Sequence, residues 1–73
     1  MTRKQLKLLR LYHNLTQEQY AKEIGVATST ISKSEAGIIE VSDSTRAKVL
    51  RKYNPSESGF LEFTERMQGA TNQ

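Results

Sequence analysis

Residues 15 to 37 read L-T-Q-E-Q-Y-A-K-E-I-G-V-A-T-S-T-I-S-K-S-E-A-G, and their spacing decides the fold. Tyr20, Ile24, Val26 and Ile31 are apolar where two short helices, crossing nearly at right angles, must face one core. Ala21 is small where the second helix crosses closest to the first. Gly25 stands between them, where the chain must leave one helix and enter another through a left-handed residue. The start is marked by Thr16, whose hydroxyl can accept from the backbone of Gln19 while the Gln19 side chain reaches back to the backbone of Thr16. Gly37 supplies the left-handed residue that closes the second helix.

Outward from this stretch, the same physical cues predict three further helices. Thr2 caps a first helix running to about Asn14, with Leu6 and Leu9 on its inward face. Leu8, Leu11 and Tyr12 widen its apolar surface. The third helix is expected from about Thr28 to Ala36. After a loop through Ile38, Ile39 and Glu40, Ser42 caps a fourth helix whose inward side is expected to carry Ala47, Val49, Leu50 and Tyr53. Asn54-Pro55-Ser56-Glu57 is another start signal: an asparagine cap, a proline at the first helical position, and a glutamate three after the cap. The helix it opens should reach about Met67, with Gly59 weakening its first turns and allowing a start as late as Ser58. The reading is all-α, a compact five-helix domain over residues 1–67. Residues 68–73 have nothing to bury and are expected to form a disordered tail.

The chain has 73 residues, no cysteine and a net charge of +3. A domain this small supplies only a modest core, and disulfides and thiolate metal sites are ruled out. No apolar run approaches a membrane span, so a cytoplasmic location is expected. The charge is divided unevenly. Residues 1–54 carry ten basic and five acidic side chains, whereas residues 55–73 carry Arg66 against Glu57, Glu62 and Glu65. A basic body suits a polyanion, and an acidic end with two phenylalanines suits a different partner. An ordinary solvated surface with slight charge segregation would give the same composition.

Leu9-Arg10, Leu15-Thr16-Gln17, the A-x-x-I-G-V run from Ala21 and the T-I-S-K-x-E-x-G run from Thr30 together resemble the Cro/CI-type helix-turn-helix family, over about residues 3 to 54. The resemblance implies that Arg10 and Glu35 form a structural ion pair docking the third helix onto the first. The chain departs from the family pattern at Ala27, where a Ser or Thr cap is usual, and at Ser34, where a large apolar residue is usual. Thr28 is expected to take over as cap, and Ser34 to leave the third helix loosely held.

If the third helix enters a major groove, Thr28, Ser29, Ser32 and Lys33 are the outward groups near the bases, and Gln17 lies near a phosphate. Short hydroxyls accept several bases with little preference, so intrinsic operator recognition should be modest. Lys4, Lys7, Lys22 and Lys33 are either phosphate contacts or plain solubilising charges. The surplus apolar residues Leu8 and Tyr12 on the first helix, and Tyr53, Phe60, Phe63 and Met67 further on, have two readings. Either they cover one another inside the monomer, or some stay open as anchors for a protein partner. His13, alone and at the end of the first helix, is expected to be solvated. No nucleophile, phosphate loop or metal cluster is legible, so neither catalysis nor a cofactor is expected.

Over its whole length the chain also resembles the small modulator-of-repression antirepressors of temperate phages. That resemblance implies a partner, the N-terminal helix-turn-helix domain of a CI-type repressor, with DNA bound weakly or through the complex. A Cro-like dimeric repressor reading an operator with its third helix is the alternative. A toxin-neutralising antidote on the same scaffold is a third reading, least favoured because no long inhibitory arm is present.

Overall fold

Side-chain caps set most of the helix starts. The computed structural model describes residues 1–56 and 58–71, in the order α1 (Arg3–Tyr12), α2 (Gln17–Ile24), α3 (Thr28–Glu35), α4 (Asp43–Lys52) and α5 (Ser58–Thr71). Thr2 and Thr16 both make the reciprocal capping box. Each hydroxyl accepts from the backbone N–H three residues on at 3.1 Å, and Gln5 and Gln19 accept in return from the Thr backbone at 3.1 and 2.9 Å. Ser42 Oγ accepts from the Thr45 N–H at 3.1 Å. Each such cap contributes about 1 kcal/mol.

The first three helices share one way of stopping. Asn14, Gly25 and Gly37 all have positive φ, at 58°, 82° and 78°. The following residue in each case donates back across the helix end, from Leu15 to Arg10, Val26 to Ala21 and Ile38 to Lys33, at 2.9–3.1 Å. This satisfies carbonyls that a helix end otherwise leaves orphaned. At Asn14, asparagine tolerates the left-handed region better than other side chains, so α1 ends at Tyr12 rather than at Asn14.

α3 packs on both α2 and α1, α4 packs on α2, and α5 packs on α1. Leu6, Leu8 and Leu9 of α1, Tyr20, Ala21 and Ile24 of α2, Ile31 of α3, Val49 of α4 and Phe60 of α5 form the core. Val26 is half-buried against it. The inward face of α4 differs from expectation. Thr45 and Val49 are buried, whereas Ala47 and Leu50 are exposed, Leu50 by 45%. Thr45 is admitted because its hydroxyl bonds Ser42 Oγ at 3.1 Å, which sets the helix phase on the 45–49–53 row instead of the 47–50 row.

α5 begins at Ser58 because Asn54 Oδ1 accepts from the Ser56 N–H at 2.9 Å, closing an Asx turn in place of a helical first turn. Glu57, expected to complete that cap, lies outside the described residues. Gly59 admits a close approach, since a Cβ there would stand 2.6 Å from the Tyr12 hydroxyl. The helix runs to Thr71, past the end expected at Met67, because no proline or competing cap interrupts it. Residues 72 and 73 of the expected tail lie outside the described residues.

Ser34 is buried, and its Oγ has no hydrogen-bond partner among the described residues. A buried, unpaired hydroxyl destabilises, and alanine is the better helix former. Ser34→Ala should therefore raise stability by about 1 kcal/mol and the melting temperature by about 4–8 °C. A lower melting temperature by circular dichroism would show that the hydroxyl does useful bonding.

Candidate nucleic-acid interface

A helix can read a groove only if it is held at a fixed angle, and here α3 is fixed by one charged network. Arg10 Nε donates to Glu35 Oε2 at 2.8 Å and Nη2 to Glu35 Oε1 at 2.9 Å, a bidentate pair with side chains only 12% and 5% exposed. Arg10 Nη1 also donates to the Leu15 carbonyl at 2.9 Å, and Gln17 Nε2 to Glu35 Oε1 at 3.2 Å. One guanidinium thus joins α1, the turn before α2 and the end of α3. Such planar fork contacts specify direction as well as proximity.

A second tie was not legible in the motifs. Arg3 Nη1 donates to the Ala36 carbonyl at 3.2 Å, adding a cation at the C-terminal end of α3. Arg3 lies seven residues before Arg10, on the same face of α1, and that spacing was the available signal. A Cβ on Gly37 would collide with Arg3 Nη1, so a side chain there would both strain the backbone and displace this contact.

Of the expected reading groups, Thr28, Ser29 and Lys33 are exposed. Ser32 is half-buried, and its hydroxyl donates to the Ser29 carbonyl at 3.2 Å. Gln17 is drawn inward by Glu35 instead of standing free for a phosphate. Thr28 does not cap α3. Ala27 occupies the cap position with no side-chain hydrogen bond, because its backbone already has the extended cap conformation and Thr28 falls at the first helical position. Lys4, Lys7 and Lys22 are exposed. The surface offers hydroxyls and ammonium groups, suited to phosphates and tolerant of base identity.

The residues expected to anchor a partner divide by burial. Leu8 and Phe60 are in the core, at 5% and 4% exposure, so of the two readings the covered one holds for them and they are not open partner anchors. Tyr12 meets Phe60 and Phe63 edge-on, with ring centroids 5.5 and 5.6 Å apart, so α1 and α5 cover much of each other's surplus apolar area. Tyr12, Tyr53, Phe63 and Met67 remain half-buried. His13 is not freely solvated. Its ring lies 5.0 Å from Tyr12 and 4.3 Å from Tyr53, and its Nε2 is buried without a partner among the described residues. The open large apolar side chains are instead Ile38, Ile39, Leu50 and Leu61.

Beneath α3, burial pushes the Tyr20 phenol well above its ordinary range, helped by the Glu35 carboxylate and by Tyr53, and opposed by Arg10. Its hydroxyl has no partner among the described residues. Burial, and secondarily Glu23, also raises Tyr53, with Lys52 opposing. The unfolded chain releases these protons near pH 10 while the folded chain keeps them, so the unfolded state binds fewer protons. Stability should hold below about pH 10 and fall as pH rises further. Tyr20→Phe should flatten that fall in alkaline denaturant titrations. An unchanged slope would mean that Tyr20 ionises without unfolding the protein.

Two helices fixed at a tight turn, with the second presenting hydrogen-bonding and cationic groups outward, define a DNA-binding regulator. The helix-turn-helix family model matches residues 6–59, and the chain belongs to that family of DNA-binding transcription regulators. Neither curated proteins nor solved structures gave a match. Among the described residues, no helix is long and apolar enough to cross a membrane, and no group of three or more His, Cys, Asp or Glu is placed to hold a metal ion.

Proposed function

We propose that this regulator acts as an antirepressor in a phage lysis-lysogeny switch, docking on the N-terminal helix-turn-helix domain of a CI-type repressor and blocking or modifying its operator binding. The observation that carries the reading is the outer face of α3, where Thr28, Ser29 and Lys33 are the exposed groups while Ser32, and Gln17 at the start of α2, are engaged internally. That face can hold phosphates but discriminates poorly among bases. The resemblance of the whole chain to phage antirepressors supports the same reading. With Leu8 and Phe60 in the core, the partner contacts fall to the half-buried edge of Tyr12, Tyr53, Phe63 and Met67. Glu62 and Glu65 on the exposed side of α5 are suited to the basic DNA-reading surface of another regulator.

The firm docking of α3 by Arg10 and Glu35 favours a second reading, a Cro-like repressor that uses α3 directly. Titration separates the two. The isolated protein should bind duplex DNA weakly, with steep salt dependence and little sequence preference, and should shift the NMR signals of a CI-type repressor domain on mixing. Nanomolar, operator-specific binding at physiological salt, with no response from the repressor domain, would establish the Cro-like reading instead.

A further inference from the structure

Two helices carry an exposed leucine beside a charge, and the two charges are opposite in sign. On α4, Leu50 is 45% exposed, with Arg46 four residues before it and Arg51 one after. On α5, Leu61 is 54% exposed, with Glu62 one residue after it and Glu65 four after. Residues four apart share a helix face, so Leu50 lies beside Arg46 and Leu61 beside Glu65, whereas Arg51 and Glu62, one residue on, point to the side. An exposed leucine and Ala47 beside an arginine suit a protein partner better than a phosphate, because interfaces place an apolar centre inside a polar rim.

We propose that these two faces are made for each other, so that α4 of one copy docks on α5 of a second copy of this chain. With the helices antiparallel and the leucines opposed, Arg46 of one copy comes opposite Glu65 of the other. The existing partner of Arg46 does not forbid this. Asp43 meets it at 3.4 Å in a largely exposed pair, which is easily exchanged. The face needs nothing from α3, so Thr28, Ser29 and Lys33 stay open in the pair. Because Glu62 and Glu65 also serve the proposed repressor contact, a second copy and a repressor compete for α5.

Sedimentation velocity of the full chain from micromolar to millimolar, at low and high salt, tests the pairing. The average mass should climb above 8.3 kDa with concentration and fall back as salt increases. Arg46→Glu and Glu65→Arg should each weaken association by about tenfold or more, and the two together should restore it. A monomer at every concentration overturns the proposal, as does association indifferent to these exchanges. Loss of DNA binding in Arg46→Glu without any change in mass would also overturn it, assigning α4 to phosphates. Repressor binding is read separately, since Arg46→Glu leaves α5 intact, and its failure would count against the antirepressor reading alone.

Discussion

Replacing Glu35 with alanine should remove a large share of the protein's stability. The change strands the Arg10 guanidinium in a site where its side chain is only 12% exposed, with the Leu15 carbonyl as its remaining acceptor, and it also releases Gln17. Removing one partner of such a pair costs about 3–5 kcal/mol. A chain of this length has roughly 4–11 kcal/mol in total. The cost arises from the abandoned charge more than from the lost attraction, so Arg10→Met combined with Glu35→Leu should recover most of the stability. Urea unfolding followed by circular dichroism measures both. If Glu35→Ala costs no more than an exposed pair such as Lys52 with Glu23, the network is not what holds α3.

Phe60→Ala should cost about 3–5 kcal/mol, because it empties a core position and removes the ring against which Tyr12 packs edge-on. Its neighbour Leu61, more than half exposed, should tolerate alanine with a change within about 0.5 kcal/mol. The contrast between adjacent residues tests the burial pattern directly. It also governs how partner-binding variants are read, since weakened binding in Phe60→Ala would report lost fold rather than a lost contact. Near-equal effects at the two positions would mean that α5 rests on α1 without being part of its core.

The parts of this architecture that sequence reveals are those encoded locally. Thr2, Thr16 and Ser42 cap helices through atoms three residues away, and Gly25 and Gly37 mark left-handed closures, so the element order can be read without knowing the packing. The pairing of Arg10 with Glu35 is long-range, yet the family resemblance exposes it. The orientation of α4 is not legible in this way. Its apolar residues fit two rows, and the buried one contains a threonine whose hydroxyl is satisfied by Ser42. His13 and Gln17 are hidden for a related reason. Both are polar residues near helix ends, and only the assembled neighbours, Tyr12 and Tyr53 in one case and Glu35 in the other, draw them inward.

The outer face of α3 is where the sequence said most about chemistry and least about shape. Thr28, Ser29 and Lys33 stand out as expected, but Ser32 spends its hydroxyl on the Ser29 carbonyl. The reading surface is therefore poorer in free donors than its composition suggests.

The bare start of α3 also sets an order of loosening. Ala27 offers no side-chain acceptor, and its carbonyl is shared between the Thr30 N–H at 3.0 Å and the Ile31 N–H at a stretched 3.4 Å. The opening turn of this helix should thus exchange its amide hydrogens sooner than the sealed starts of α1, α2 and α4. The end of α3 held by Arg3, Arg10 and Glu35 should keep its amide protons longer than the end carrying Thr28 and Ser29. A surface approaching Thr28 and Ser29 would therefore meet the less tightly tied end of this helix first.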